Sequence, residues 1–397
     1  KPEAPRTRGI IIWEPLKTRF YIRTSNNREY CFIPQFWRDS CYFKRMGKHI
    51  KAKVQGTLFD RVARLEELHE MGDPLARLDS VIDWGVFTPI LSRLPKVDPK
   101  GPGGRPSFEP GLMFKVLVIQ SLYGLSDHQT EFQITDRMSF KRFLGLSDAD
   151  KAPDEKTIWA FREALNRAGL FDALFAAFGR ALESMGMIAR KGQMIDASFV
   201  EVPRQHNSRE ENGLIQSGGI PDVWEEDPAK ARQKDVDARW TRKHGRRYFG
   251  YKNHVKVDSK SKLITSFAVT DAAVHDSQVL EILVKPGDPT TYADSAYAGE
   301  PSRIMMEKRG VEFKPIERPW RNRPLNGKQK RTNRARSRTR ARVEHVFATM
   351  VMAMRAKWNR CIGLARNASS IALTNLVYNM VRLEQIDRLG LKRWRTA

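Results

Sequence analysis

Three acidic residues stand where a phosphoryl-transfer site would need them. Asp196 lies in GQMIDASFVEVP, Asp294 in TTYADSAYAG and Glu344 in TRARVEHVFATM. Mg²⁺ prefers oxygen ligands in octahedral geometry and keeps several waters, so a few carboxylates suffice to hold it. Two such ions, about 3.5–4 Å apart, can bind both the attacking and the leaving oxygen of an in-line displacement at phosphorus. We therefore predict that these three side chains bind Mg²⁺ or Mn²⁺, with two ions at the site.

The flanking residues assign each acid to an element. Asp196 and Asp294 follow short apolar, β-prone runs, so we expect each to sit on or end a buried strand. Apolar residues from Val343 to Met350 recur with helical spacing, which places Glu344 on a helix. A single strand-end Asp or helical Glu is commonplace. A buried group of carboxylates without a metal would repel itself and take up protons, so the three together favour a metal site.

The segments that carry these acids belong to a wider set of motifs. They occur in the order IDASFVEVP, RYFGYKNHVKVD, VTDAAVHDSQ, YADSAYAG and RARVEHVF. In this order they resemble the transposases of the IS5 group of bacterial insertion sequences, within the larger IS4-like class of DDE enzymes. The resemblance runs from about residue 57 to about residue 388. It implies that Asp196, Asp294 and Glu344 are the first Asp, the second Asp and the Glu of the catalytic triad.

One position departs from the pattern of that family. Relatives often carry a basic residue seven positions after the catalytic Glu, and here that position is Val351. Arg355 lies eleven residues after Glu344, near the same helix face, and could replace it as a phosphate contact. The departure leaves a catalytically impaired DNA-binding relic as one alternative function.

The charge of the chain is typical of a protein that binds nucleic acid. Seventy Lys and Arg against 46 Asp and Glu give a formal charge of +24, which favours a polyanionic partner through counterion release. No uninterrupted apolar run approaches the roughly 20 residues of a membrane span. We expect no membrane partner, and DNA as the partner.

A basic segment directly precedes the third acid. Between Glu317 and Glu344 there is no acidic residue. A run of like charge repels itself and is often disordered, so we expect it to lie along a DNA backbone and to become ordered there; a solvated loop is the alternative. Arg340 is one helical turn before Glu344, where it could pair with that carboxylate or with a phosphate. The predicted DNA contacts here are Arg321, Arg323, Lys328, Arg331, Arg334, Arg336, Arg338, Arg340 and Arg342.

Five further residues are weaker candidates. Lys252 and His254, in YKNH, could face the DNA. Trp240 could stack on an unpaired base, although packing within its own domain is the commoner role of a lone tryptophan. His275 and Asp276, in VHDSQ, could support the triad. Asp276 could equally cap the helix that it begins, and a histidine there could be purely structural.

Length and composition predict the division of the chain. Its 397 residues exceed one typical domain. We expect a non-native or disordered leader over residues 1–45, a helical DNA-binding-type domain over 46–188, a catalytic domain over 189–388 and a tail over 389–397. Three cysteines, Cys31, Cys41 and Cys361, show no zinc spacing and suit a reducing bacterial cytoplasm. The helical part could bind the DNA ends of the insertion sequence, or it could only pack against the catalytic core and support it.

The fold class follows from the order of the predicted elements. Helical spacing dominates residues 58–187, with segments at 113–122, 154–168 and 171–185. Three strands then precede a helical crossover from His275 to Val284, and Asp294 ends a fourth strand. This is an α/β order, a ribonuclease-H-like mixed sheet flanked by helices after an all-helical N-terminal domain, and the resemblance implies the same fold. Asp196 and Asp294 should lie on neighbouring strands.

The resemblance implies a specific reaction, with two rivals left open. A DDE transposase binds the inverted repeats of its element, cleaves a strand with metal ions and joins the freed 3′ hydroxyl to target DNA. A ribonuclease-H-like nuclease would cut without joining, and the impaired relic would only bind. Synapsis of two ends would suit a homodimer, although no heptad repeat predicts one. An apolar stripe from Ile371 to Met380 is expected to be core.

Overall fold

A computed structural model describes residues 21–24, 27–30, 60–95, 107–243, 245–319 and 324–391 of the chain. It divides into a unit Lys1–Asp60 and a unit Arg61–Ala397. Within the first unit, β1 (Tyr21–Thr24) and β2 (Asn27–Tyr30) form an antiparallel pair. The predicted leader 1–45 otherwise lies outside the described residues, as do Cys31, Cys41, Arg321 and Arg323.

Helices fill the first part of the second unit, as the apolar spacing predicts. The α4 helix ends where Gly124 adopts a left-handed conformation, and a capping box of Ser126 and Gln129 begins α5. The helices are α1 (Asp60–Glu70), α2 (Pro74–Val81), α3 (Thr88–Leu91), α4 (Pro110–Tyr123), α5 (Asp127–Asp136), α6 (Met138–Leu144), α7 (Glu155–Arg167) and α8 (Leu170–Ser184).

A mixed six-stranded sheet follows. Its strands are β3 (Gln193–Glu201), β4 (Arg239–Lys243), β5 (Arg246–Asp258), β6 (Ile264–Asp271), β7 (Thr291–Ala293) and β8 (Phe313–Pro315). The order is β4-β5-β3-β7-β8, and β6 also pairs with β5. Strands β3, β5, β4 and β6 pair antiparallel, whereas β7 joins β3 and β8 joins β7 in parallel.

Helices interrupt and flank this sheet. They are α9 (Arg209–Gln216), α10 (Asp222–Glu226), α11 (Pro228–Ala231), α12 (Leu280–Leu283), α13 (Glu300–Lys308), α14 (Gly327–Arg340), α15 (Arg342–Met354) and α16 (Leu364–Arg388). The sequence predicts the strands at β3, β5, β6 and β7 and the short crossover. Strand β4, inside the charged segment 204–247, is an addition that the sequence pattern does not show.

One hydrophobic core joins the helical part to the sheet. Helix α16 contacts α2, α4 and α8 on the helical side and β5 and β6 on the sheet. Its apolar stripe is buried, which confirms the prediction of a core helix. Across this core the rings of Phe175 and Phe267 meet edge to face at 4.8 Å. A smaller cluster around Ile195, Leu280 and Tyr297 fills the other face of the sheet.

Because both faces of the sheet are covered, β5 is buried on both sides. The sequence predicts a polar face of Lys252, His254 and Lys256, yet these side chains are 7%, 0% and 4% exposed. Lys252 pairs with Asp276, and Lys256 pairs with an aspartate near α12. No described helix is long and apolar enough to cross a bilayer.

Candidate active site

Asp196 and Asp294 lie side by side, as the sequence predicts. Strands β3 and β7 run parallel with Ile195 opposite Ala293, so the next residue of each strand is one of the two acids. The buried run before Asp196 holds β3 in the centre of the sheet between β5 and β7. Asp294 ends β7 because its carboxylate accepts a hydrogen bond of 2.6 Å from the backbone N–H of Ser295, which starts a short 3₁₀ helix.

Arg340 links the third acid to the first. Glu344 is on α15, as predicted, with its side chain 65% exposed. The Arg340 guanidinium donates from Nη1 to Asp196 Oδ2 at 3.1 Å and from Nη2 to Glu344 Oε1 at 3.5 Å. The two acids therefore face one cationic group from β3 and from α15.

Burial and neighbouring charge set the protonation of Asp196. Its side chain is only 16% exposed, and this desolvation raises the pKa of the carboxyl. The Arg340 guanidinium opposes the rise, as does the more distant Lys243, whereas the charge of Asp294 adds to it. The positive charge of Arg340 thus favours the ionised form of Asp196 against the effect of its burial.

The donor chemistry fits a divalent cation, but the acids are not yet gathered around one point. Among the described residues, no group of three or more His, Cys, Asp or Glu side chains is arranged to hold a metal ion. Asp196 and Asp294 supply the oxygens that Mg²⁺ prefers. In this structure the positive charge between Asp196 and Glu344 is the guanidinium of Arg340 and not a metal ion. An ion bound by all three acids would therefore have to replace the contact between Arg340 and Asp196.

Tyr297 is a residue that the sequence analysis missed. Its side chain is fully buried, and its hydroxyl has no hydrogen-bond partner among the described residues. Burial raises the pKa of this hydroxyl well above its usual value, and the charges of Asp276, Asp196 and Asp294 raise it further. The hydroxyl therefore stays protonated, close to three carboxylates, as an unused O–H donor. The available signal was its position three residues after Asp294, in ADSAYAG.

Asp276 and His275 take different positions. Lys252 Nζ donates to Asp276 Oδ1 at 2.9 Å and to the backbone carbonyl of Val274 at 2.6 Å. This ion pair holds Asp276 within electrostatic reach of Tyr297. His275 is exposed, and its ring nitrogen accepts from the N–H of Ser277, so it caps the 3₁₀ helix that follows.

Two of the weaker candidates for DNA contact are placed by packing. His254 is fully buried, and its Nε2 lies 2.9 Å from the Thr270 hydroxyl, so it presents no surface to DNA here. Lys252 is occupied by Asp276. Trp240 is 46% exposed, with its ring tilted against Phe249 at 5.0 Å. Polar and apolar residues alternate along β5, and this alternation predicts one solvent-exposed face that carries Lys252 and His254. That prediction is wrong because both faces of β5 are covered.

The basic segment before Glu344 forms helix α14 without any DNA. Asn326 and Gln329 form a capping box at its start, and Glu317 pairs with Arg336. The expectation of disorder without a partner is thus wrong for residues 327–340, because local caps and one acid hold the helix. Its cations divide into two sets. Arg336 and Arg340, with Arg342 at the start of α15, donate to protein acceptors, whereas Lys328, Lys330, Arg331, Arg334 and Arg338 are exposed.

The position of the missing basic residue opens into a groove. Val351 lines a groove of about 630 Å³ between α15 and the helices α4 and α5, together with Ser198 of β3. Arg355 lies just beyond the end of α15 in a left-handed conformation (φ 53°). Its side chain packs so closely on Gly124 that a Cβ there would meet it at 3.0 Å. Arg355 therefore does not continue the face of Glu344, as the helical spacing suggested.

Two family models match the chain. The model described as a transposase DDE domain matches residues 189–380, which include the sheet, α14, α15 and all three acids. The model described as a transposase domain (DUF772) matches residues 63–164, within the helical part. No solved structure matches the chain closely enough to be counted as similar. The fold of the DDE domain is ribonuclease-H-like, in agreement with the mixed sheet and its flanking helices. Over these two ranges the chain is thus similar to transposases of the DDE type.

Proposed function

We propose that this transposase belongs to the IS5 group, binds the terminal inverted repeats of its element in the bacterial cytoplasm, and catalyses strand cleavage and strand transfer. One observation supports this most directly. Two aspartates from distant parts of the chain lie side by side on parallel strands, and Arg340 connects the first of them to the glutamate of α15. Two neighbouring carboxylates repel each other, so a purely structural role does not explain this pair.

The three acidic residues would share one role, the binding of metal ions. Asp196, Asp294 and Glu344 would hold Mg²⁺ or Mn²⁺, in two positions. When bound, these ions would activate the attacking water or 3′ hydroxyl and neutralise charge on the phosphodiester. Arg340 neutralises the acids while no DNA is bound, and it is free to bind a phosphate once its contact with Asp196 is released.

Tyr297 and the pair of Lys252 and Asp276 would lie beside the metal-binding carboxylates. The Tyr297 hydroxyl can donate its proton without breaking any hydrogen bond seen among the described residues. Most of the rate enhancement would come from positioning and electrostatics, as in other phosphoryl transfers.

The exposed cations of α14 would contact the DNA backbone beside the site. Lys328, Arg331, Arg334 and Arg338 lie on one side of the helix that ends at Arg340. None of them has an acidic partner among the described ion pairs. Such contacts would position the duplex and make binding depend on salt. Two copies of the chain, each on one end, would form the synaptic complex.

The decisive experiment is Mg²⁺-dependent nicking of a supercoiled plasmid that carries the element's inverted repeats. Asp196→Asn should abolish nicking and leave binding to the repeats nearly unchanged, because it removes a metal ligand and no DNA contact. Glu312→Gln is the matched control. Glu312 is an exposed acid directly before β8, which is an edge strand of the same sheet. Substantial nicking by Asp196→Asn would remove this residue from the mechanism.

Strand transfer separates the proposal from its rivals. Pre-cut element ends and a target plasmid should yield joined products with the wild-type chain. Cutting without joining would indicate a nuclease. Binding without either step would indicate an impaired relic, an outcome that Val351, in place of a basic residue, makes worth measuring.

A further inference from the structure

The guanidinium of Arg340 engages the oxygens that a metal ion at the candidate site would need. Asp196 Oδ1 accepts a hydrogen bond of 2.9 Å from the backbone N–H of Ala197, and Asp196 Oδ2 accepts one of 3.1 Å from Arg340 Nη1. Both oxygens of this carboxylate therefore already have a donor. Arg340 Nη2 lies 3.5 Å from Glu344 Oε1, so one guanidinium engages the first and the third acid together.

Burial makes the contact with Asp196 the stronger of the two. The side chains of Arg340 and Asp196 are 18% and 16% exposed, whereas that of Glu344 is 65% exposed. An exposed ion pair contributes little, because water and salt screen it. A divalent cation at Asp196 would be repelled by the guanidinium, and burial leaves that repulsion weakly screened. Arg340 and a metal ion thus compete for Asp196.

The contacts of α14 fix the backbone of Arg340. Arg340 is the last residue of this helix, one turn after Arg336. Arg336 Nη1 donates to the backbone carbonyl of Pro315 at 2.7 Å and to the Glu317 carboxylate at 3.1 Å. Asn333 Nδ2 donates to the backbone carbonyl of Glu317 at 2.9 Å. Because these contacts attach α14 to the chain at the end of β8, rotation of the Arg340 side chain is enough to release Asp196.

A DNA phosphate is the group that can take Arg340 away from the acids. A guanidinium binds phosphate and carboxylate with the same fork of N–H donors, so the exchange replaces one charge-assisted pair by another. Arg331, Arg334 and Arg338 are exposed and recur at spacings of three and four residues, which places them on one face of α14. A DNA backbone that follows this face reaches the end of the helix, where Arg340 lies.

We infer that Arg340 couples metal binding to DNA binding: without DNA it holds Asp196 and weakens the binding of metal ions, and a phosphate of the bound DNA releases it. The inference rests on the proposed function, because it needs metal ions and DNA at the same acids. Two ligands that favour the same state of a protein favour each other by the same factor. The chain therefore holds its metal ions firmly only when DNA is in place.

The first test measures Mn²⁺ binding to the full chain without DNA, from the electron paramagnetic resonance signal of free Mn²⁺. Arg340→Gln should bind Mn²⁺ about tenfold more tightly than the wild-type chain, a ratio that one hydrogen bond to a charged group supplies. Arg331→Gln is the matched control. It removes one exposed positive charge from the same helix and should leave the Mn²⁺ affinity unchanged. An Arg340→Gln affinity no higher than that of the wild-type chain would overturn the inference.

Arg340→Lys keeps the test decisive where Arg340→Gln does not fold. Lysine keeps a positive charge near Asp196, but it has no fork of donors with which to reach Glu344 as well. Its Mn²⁺ affinity should lie above that of the wild-type chain, because the more exposed acid is freed. With Arg340→Gln unfolded, a wild-type or lower affinity for Arg340→Lys would overturn the inference.

The second test adds a duplex of the element's inverted repeat and is read before nicking proceeds. The duplex should raise the Mn²⁺ affinity of the wild-type chain about tenfold more than that of Arg340→Gln, which has no guanidinium to release. An equal rise in both proteins would overturn the coupling. If the wild-type chain nicks plasmid while the Mn²⁺ affinities of the two proteins agree, only the role of Arg340 is wrong. If the wild-type chain neither nicks nor binds Mn²⁺ with the duplex present, the proposed function fails with it.

Discussion

The hydroxyl of Tyr297 is a single group whose role can be separated from stability. It is fully buried without a partner in the described part of the chain, and three carboxylates act on it. We predict that Tyr297→Phe lowers the single-turnover nicking rate by about tenfold, less than the roughly 10²–10⁴-fold that a group transferring the proton itself contributes. The melting temperature should stay equal or rise, because an unsatisfied buried O–H costs free energy.

A matched control for this change is Tyr292→Phe, on β7 of the same sheet. A purely structural Tyr297 would give the opposite pattern, with a normal rate and a lower melting temperature. That result would remove Tyr297 from the site.

His254 makes a second residue-scale prediction. The pKa of its imidazole is lowered from 6.5 to about 4, mainly by burial, while the charge of Asp276 opposes the shift and that of Lys252 adds to it. The ring is therefore neutral in the fold, and the unfolded chain binds a proton that the folded chain does not. Its contribution to stability is fully present above about pH 6.5 and is lost as the pH falls towards 4, by up to about 3 kcal/mol.

Urea unfolding of the wild-type chain and of His254→Gln measures this contribution. The free energy of unfolding should fall more steeply with acid in the wild-type chain than in the variant. Parallel pH profiles would contradict the assignment. Carboxylates elsewhere titrate in both proteins, so the difference between the profiles isolates His254.

At the scale of single residues, the sequence predicts which residues form the candidate site better than it predicts what surrounds each of them. Asp196, Asp294 and Glu344 could be found because each stands in a short local motif. Tyr297 could not, because its meaning depends on a hydroxyl that packing leaves unpaired. The burial of Lys252 and His254 depends on a second layer against β5, which alternation along one strand does not reveal.

Helix α14 is the element with the clearest consequence for DNA binding. If Arg334 neutralises one phosphate, Arg334→Gln should reduce the slope of log affinity against log salt by roughly 1 on a duplex. Lys308→Gln, on the exposed side of α13, is the control and should leave the slope unchanged. Equal slopes for the two variants would place the DNA elsewhere.

Elements were predictable where apolar spacing is strong and less so where charge dominates. Helices α7, α8 and α16 follow their apolar stripes, and α4 is apolar and buried on nearly all sides. Helix α14 has none, and it forms through the Asn326 capping box and the contacts of Glu317. Strand β4 is equally poor in apolar residues and exists because its backbone pairs with β5.

At the scale of the whole molecule, the helical part and the sheet share one core. The predicted boundary near residue 188 divides the chain in two, and the two family models match on either side of it. In the structure, however, residues Arg61–Ala397 form one compact unit. Helix α16 is the physical link, since it packs on helices of the first part and on strands of the second. The division into 46–188 and 189–388 remains a prediction about folding units.

A substitution of Leu376, in the middle of α16, tests whether the two parts of the chain unfold separately or as one unit. Leu376 is 1% exposed within the shared core, so Leu376→Ala should cost about 2–5 kcal/mol. If the core is one cooperative unit, hydrogen exchange of α4 and of β5 should accelerate together, because both are protected only by global unfolding. Leu214→Ala, at an exposed position of α9, is the control and should change neither. Acceleration in β5 alone would show two units that unfold separately, with α16 belonging to the sheet.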